Sequence, residues 1–446
     1  MELSTTAMLL LDLVVIVAVA RLLGALARRL RQPAVIGEIL GGILLGPTLF
    51  DGEITSFLFP ADVRPSLTTL ANVGVCVFMF LVGLEFNRGL LRGQGRIAVS
   101  VSLSAVVLPF SLGALLALHL VANHPTGDRL AFVLFLGTAM SVTAFPVLAR
   151  ILTDKGLIDT PIGGLALAAA AVDDVLAWSM LAAVAALAGA GGAPWQILLV
   201  LPYAAALVWV VRPLLARLAG REATAGRPTG RVTGRMAGRV TVRLADAGVL
   251  LAVGAGLWLS AQATDWMGLH LIFGAFLFGI VMPREGASRL RRYALPRVEQ
   301  LCSILLLPVF FMVAGLKVDL SSMNATAFGE LGLILLVAIG GKFVGAFLGA
   351  RLNGVRPRHS AVLAVLINTR GLTELIVLTV GLQIGVLDQP LYSLMVVMAL
   401  VTTAMAGVLL PFVYPDERIR QDLAARDQSA PLGRTVTGAR PPLSEK

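Results

Sequence analysis

Cysteine and charge are both scarce in this sequence. Cys76 and Cys302 are the only cysteines among 446 residues, and both lie inside apolar stretches, so neither a disulfide framework nor a thiolate metal site is indicated. Charged residues reach only 14% against 57% hydrophobic, with a mean hydropathy of +0.87, which excludes an ordinary soluble globular protein. A formal charge of +10 could point to nucleic acid. The arginines, however, sit in short loops between apolar runs and in the tail, a pattern that orients a membrane protein. A cleavable leader is also lacking: the first run, Ala7 to Leu26, has no basic residue ahead of it and leads into further apolar runs, so it reads as a first helix that stays. No metal-ligand or nucleophile-base spacing occurs, and neither enzyme chemistry nor a cofactor is expected.

What is present instead is a succession of apolar runs near the roughly 20 residues that a bilayer crossing needs. Thirteen of them centre near 16, 40, 76, 108, 141, 174, 205, 253, 274, 309, 340, 371 and 401, predicting an all-α polytopic membrane protein. The loops alternate in charge. Arg28, Arg29 and Arg31 follow the first run and Asp51, Glu53 and Asp62 the second. Basic clusters recur after the odd runs at Arg88, Arg92 and Arg96, at Arg150 and Lys155, from Arg212 to Arg243, from Arg284 to Arg297, and at Arg351, Arg356 and Arg358. Positive-inside bias then puts the N-terminus outside and the C-terminus in the cytoplasm of a cell-membrane protein. The loop from Leu218 to Arg243 repeats Gly-Arg at Arg227, Arg231, Arg235 and Arg239, and reads as a low-complexity basic linker, a topological anchor rather than a lipid-headgroup site. The tail, 416–446, reads as short and disordered, without room for a nucleotide-binding domain.

Thirteen runs divide as six, one and six, the seventh being a connector at about 195–218. A shift of seven helices reverses orientation, as an inverted repeat requires, and pairs the fifth run with the twelfth. Both look breakable at mid-depth. SVTAFPVLARIL carries Pro146, which would free the carbonyl of Val142, with Ser141 and Thr143 to re-satisfy it. LINTRGLTELIV carries Asn368, Thr369, Arg370, Gly371, Thr373 and Glu374. Interrupted helices in matching halves point to a transporter binding site.

The chain's chemistry centres on Thr160 to Gly189, long enough to span and yet holding Asp173 and Asp174 near its middle. Intramembrane carboxylates are costly and mark ion or proton sites unless neighbouring helices satisfy them as a structural pair. Adjacent helical residues point about 100° apart, so one can bind an ion while the other finds a different partner. Of 36 basic residues only Lys155, Lys317, Lys342 and Lys446 are lysine. A chain that uses arginine by default needs a reason for an intramembrane lysine, which can lose its proton, and Lys342 in the eleventh run is the candidate partner of Asp173. Lys317, beside Asp319, reads as a snorkelling or locally paired residue. Arg370 and Glu374, spaced i and i+4, pair if the helix persists between them. Glu38 and Glu85 read as packing or hydrogen-bonding groups, and His270 as packing or a pH modulator.

The segments QPAVIGEILGGILLGP, SVTAFPVLARIL, AAAVDDVLAW, LHLIFGAFLFGIVMP, LLPVFFMVAGLK and LINTRGLTELIVL occur in this order over residues 8 to 413. They resemble the second family of monovalent cation:proton antiporters in the sodium/hydrogen exchanger superfamily, notably the plant cation/proton exchangers and their bacterial relatives. The resemblance implies a thirteen-helix homodimer with a mobile core at about 96–189 and 327–413, and a scaffold and dimerisation panel at about 7–86 and 244–321. Asp174 would bind the cation or proton, Asp173 would pair with Lys342, and Thr143 with Ser141 and nearby carbonyls would help hold the ion. Plant members usually carry Asn-Asp where this chain has Asp173 and Asp174, and the doubled acid is associated with electrogenic exchange. The expected activity is exchange of potassium or sodium for protons by alternating access, with a channel or uniporter on the same residues as the alternative. Adjacent aspartates cannot face one another across a peptide, which disfavours an intramembrane aspartyl protease.

Overall fold

A computed structural model of the chain describes residues 5–49, 52–85, 95–157, 160–188, 199–217, 235–267, 271–283, 295–321, 323–415, 417–418 and 421. All regular structure among the described residues is helical. The first half comprises α1 (Thr5–Arg29), α2 (Ala34–Leu45), the short α3 (Glu53–Leu58), α4 (Arg64–Glu85), α5 (Gly95–Leu120), α6 (Arg129–Ser141), α7 (Phe145–Asp154) and α8 (Pro161–Leu187). After α9 (Val200–Ala206), which continues through a wide π-type turn at Leu207–Val211, come α10 (Arg235–Trp266), α11 (Leu271–Val281), α12 (Leu295–Leu301) and α13 (Leu307–Leu316). The last four are α14 (Ala325–Leu352), α15 (Pro357–Ile367), α16 (Leu372–Gln383) and α17 (Gln389–Val413). Among the described residues, seven helical spans are long and apolar enough to cross a bilayer, one of them the continuous Leu295–Leu316 that runs from α12 through α13, and α15 with α16, bent by 44° at their break, make an eighth. Helices α2, α6 and α11 are apolar but shorter.

Several starts follow from local chemistry. Asp128, Thr160, Asn324 and Asp388 each accept backbone N–H bonds from the first turn they precede, at α6, α8, α14 and α17. Such caps satisfy donors that a helix leaves open. Helix α10 begins at Arg235, inside the stretch that the sequence suggests is linker. The Arg, Met, Ala and Leu residues from 235 onward are good helix formers, and they extend the apolar helix backwards. The basic stretches at 86–94, 218–234 and 284–294, His270, and most of the tail fall outside the described residues.

Packing brings the chemistry together through a seam of small residues. Gly341, Gly345 and Gly349 lie one turn apart on α14 and face α5. A Cβ on Gly345 would stand 2.4 Å from the Ser104 carbonyl oxygen, and one on Gly341 would stand 2.9 Å from Pro109 Cα. Any side chain there would force the two backbones apart, so the glycines set how deeply α5 and α14 interlock. Elsewhere, α17 is tied to the end of α13. Tyr392 donates to the Ala314 carbonyl at 2.9 Å, the Asp319 N–H donates to Ser393 Oγ at 3.0 Å, and Gln389 donates to the Lys317 carbonyl.

Candidate functional site

The two interrupted helices meet at their interruptions. The strand-like segment Val142–Ala144 separates α6 from α7, and Asn368–Gly371 separates α15 from α16. They are pinned to each other by Ala144 N–H donating to the Thr369 carbonyl at 3.1 Å, with Thr143 Oγ1 lying 3.2 Å from the Ile367 carbonyl. The first break differs in detail from the sequence expectation. Pro146 does not interrupt a helix from within; it sits in the first turn of α7, where its missing N–H costs nothing. The break is the extended backbone at Val142 and Ala144, ahead of the proline.

Breaking a helix leaves its last carbonyls without partners. Here cations supply them. Arg370 donates to the Ala139 and Met140 carbonyls at 2.9 and 2.6 Å, and Lys342 donates to the Ser141 carbonyl at 2.5 Å. Arg370 also pairs with Glu374 at 2.7 Å, both fully buried. The expected pair is therefore present, but not along a continuous helix, since Gly371 between them is the residue that precedes α16. Thr403 of α17 donates to the Arg370 carbonyl at 2.7 Å.

Asp173 and Asp174, near the middle of α8, are both buried and differently surrounded. Asp173 receives bonds at both oxygens: Ser102 of α5 donates to Oδ1, and Thr143 donates to Oδ2 at 2.5 Å. Lys342 lies 3.4 Å from Oδ2 and 2.6 Å from Thr143 Oγ1. The charges of Asp173 and Lys342 thus offset each other through a bridging hydroxyl. Asp174 is 4% exposed, and its Oδ1 has no hydrogen-bond partner among the described residues. Asn368 Oδ1 and Glu374 Oε1, at and beside the second break, are buried acceptors of the same kind. Buried acceptors left open are what an ion, a proton or a water occupies.

Other expected residues fall differently. Ser141 turns its hydroxyl back to the Thr138 carbonyl at 2.7 Å, so it enters the site through its backbone oxygen. Lys317 does not pair with Asp319 among the described residues: Asp319 caps Ser321, accepting from its N–H at 2.9 Å and its hydroxyl at 2.6 Å. Burial lowers the pKa of the Lys317 amine. Glu38 packs against Gly24 of α1. A cavity of about 370 Å³ lies between the ends of α2 and α13 and the starts of α4 and α17, lined by Arg64, Lys317 and Gln389 among others, and Asp174 is not on its walls.

Two features escape sequence reasoning. Ser102 is one serine among several in an apolar helix and carries no signal of its own. His124, in the connection after α5, is 5% exposed and joins Asp388 at 2.7 Å with Glu330 of α14 at 3.2 Å. Asn123 donates to Glu330 at 2.7 Å. Among the described residues, no group of three or more His, Cys, Asp and Glu is placed to hold a metal ion.

The chain as a whole is similar to several known proteins. The family model described as "Sodium/hydrogen exchanger, transmembrane" matches residues 14–414. The Na(+)/H(+) antiporter NhaS4 of Synechocystis is 36% identical over 425 residues, covering 93% of this chain and 99% of that protein. Cation/H(+) antiporter 17 of Arabidopsis thaliana is 38% identical and K(+)/H(+) antiporter 1 of Saccharomyces cerevisiae 33%, each over 91% of this chain. The chain spans about half the length of these two, 48% and 46%. The solved structure of the sodium proton antiporter MjNhaP1 from Methanocaldococcus jannaschii shares the fold, with a TM-score of 0.63 at 17% identity over 94% of this chain and all of that one.

Proposed function

Because the chain belongs to the sodium/hydrogen exchanger family, we propose that it is a secondary antiporter exchanging a monovalent cation, potassium or sodium, for protons across a membrane. The observation that carries this reading is the contrast inside one acidic pair. Asp173 is fully hydrogen-bonded and charge-balanced by Lys342, whereas Asp174, one residue on, is buried with an open oxygen at the crossing of two broken helices. A carboxylate in that condition is strongly disfavoured as a bare anion. It becomes acceptable when a cation or a proton occupies it, and the two compete for the same atoms.

The mechanism follows from that competition. Asp174 takes either a cation or a proton, with Thr143 and the carbonyls of the breaks completing the surroundings. The core at about 96–189 and 327–413 moves against the scaffold at about 7–86 and 244–321 only when the site is neutralised. Exchange is electrogenic when protonation of the Asp173–Lys342 pair also competes with cation entry, so that two protons move against one cation. Helices or broken pairs at the thirteen apolar runs support an inverted repeat of six and six around the connector α9. Arginine-rich loops support an N-terminus outside, a cytoplasmic C-terminus and a cell-membrane location. The lipid-facing scaffold is the surface on which a homodimer would form.

The test is transport by purified protein in liposomes carrying an internal pH dye under an imposed proton gradient. Potassium, sodium, lithium and rubidium are added in turn, with and without valinomycin. One or more cations should collapse the gradient, at a rate that changes with the voltage clamp, and Asp174→Asn should abolish the effect. Cation flux without proton movement would replace the antiporter by a channel.

A further inference from the structure

Helix α5 carries four serines between Ser100 and Ser111, and they do not behave alike. Ser104 and Ser111 bond back to the carbonyls of Ser100 and Val107, both at 2.8 Å. That is how a helix serine in an apolar setting ordinarily satisfies its hydroxyl. Ser102, fully buried, instead donates across to Asp173 Oδ1 on α8. The glycine seam of α14 holds α5 against the helix that carries Lys342, so Ser102 and Lys342 reach Asp173 from adjoining helices.

We propose that Ser102 is a positioning residue for exchange: its hydroxyl fixes the Asp173 carboxylate as an anion facing Lys342, and so sets the pH range in which Asp174 can trade its proton for a cation. This rests on the antiporter reading above. The groups facing Asp173 are Ser102 from α5, Thr143 from the first break, Lys342 from α14 and Asp174 from its own helix. Behind Lys342 stand Arg370 and Glu374, which engage each other. With three donors around Asp173, the dissociable proton of the Asp173–Lys342 pair resides on the lysine. Removing Ser102 takes one donor from Oδ1 and leaves Oδ2 as it was. Donation to a carboxylate favours its charged form, so without it the proton transfers more readily to Asp173, and Asp173 needs a higher pH to remain the counter-charge of Lys342.

The experiment is the pH profile of exchange in proteoliposomes for the wild type, Ser102→Ala and Ser102→Thr, with the cation that the wild type transports. Loss of a charge-assisted bond should move the acid limb of the Ser102→Ala profile to higher pH by roughly one unit, while Ser102→Thr keeps the wild-type limb. In an Asp173→Asn background, Ser102→Ala should shift nothing, because there is no anion to hold. Equilibrium binding of the same cation against pH, followed by calorimetry, reads the same shift without requiring turnover. A uniform loss of rate at every pH with an unmoved profile overturns the proposal, as does a shift that persists in the Asp173→Asn background. A wild type that exchanges no cation overturns the antiporter reading instead, and the two failures are thereby distinct.

Discussion

Lys342 stands closer to the Thr143 hydroxyl, at 2.6 Å, than to the carboxylate of Asp173, at 3.4 Å. The hydroxyl is a bridge: it accepts from the ammonium and donates onward to Asp173 at 2.5 Å. The buried charge pair is therefore a three-member unit, and its energetics should be those of a network rather than of a contact.

That unit predicts strong non-additivity. Breaking a buried pair from one side leaves a bare charge and costs about 3–5 kcal/mol. Lys342→Met and Asp173→Asn should each fall in that range, and the double variant should cost much less than their sum. Thermal unfolding of the detergent-purified protein measures all three; additive losses would show that the pair does not exist.

Arg370 should matter more than the acid it pairs with. Arg370→Gln strips the donors from the Ala139 and Met140 carbonyls and leaves Glu374 as an unpaired buried anion. Glu374→Gln leaves the guanidinium with both carbonyls. The expected order is a loss of about 3–5 kcal/mol for Arg370→Gln and clearly less for Glu374→Gln. Melting temperatures of the two variants decide it, and equal losses would deny the guanidinium its capping role.

His124 predicts an alkaline limb of stability. Burial alone would lower its pKa, but hydrogen bonds and charge from Asp388 and Glu330 prevail, and the net shift is upward. A group whose folded pKa is raised contributes fully below its unfolded value near 6.5 and loses that contribution as pH rises through the folded value. Asp388 resists its own burial through bonds from His124 and Leu391 N–H, which hold its pKa below the ordinary 3.8. Its share is lost only on acidification below that ordinary value. Unfolding temperature measured across the alkaline range should fall for the wild type, and His124→Gln should flatten that slope.

Position along α14 should govern tolerance to alanine. At Gly345 a Cβ meets the Ser104 carbonyl oxygen, an atom of the backbone that cannot swing away, so Gly345→Ala should cost about 1–3 kcal/mol through overpacking. Gly332 and Gly340 face open space. Alanine there should be neutral or stabilising by up to about 1 kcal/mol through helix propensity. Equal losses at all three positions would remove the seam as the determinant.

The parts of the site readable from sequence were those with a local anomaly. Two carboxylates in an apolar run, one lysine where arginine is the habit, a proline, and a polar cluster at Asn368–Glu374 each violate what a membrane helix prefers. The structure brings all of them to one crossing. What was not readable depends on tertiary geometry. A serine in an apolar helix is ordinary until its partner is known, and Ser102 differs from Ser104 only in what lies opposite. Arg370 looks like half of an i, i+4 pair because its other partners are carbonyls on a helix more than 200 residues away. His124, Glu330 and Asp388 come from three separate stretches of chain. The start of α10 was obscured by the repeat of Gly-Arg, whose arginines are good helix formers despite their glycines.

The hydrogen bonds from α17 to the end of α13 join what the proposed mechanism treats as moving and stationary parts. Tyr392, Ser393 and Gln389 belong to the one, and Ala314, Asp319 and Lys317 to the other. In that mechanism they would act as a detent, a shallow notch that the core leaves at each stroke and falls back into on its return. A neutral hydrogen bond contributes about 1 kcal/mol, which is roughly a fivefold change in the balance between two positions. A few such bonds are enough to choose where the carrier waits, and weak enough that one bound ion can move it.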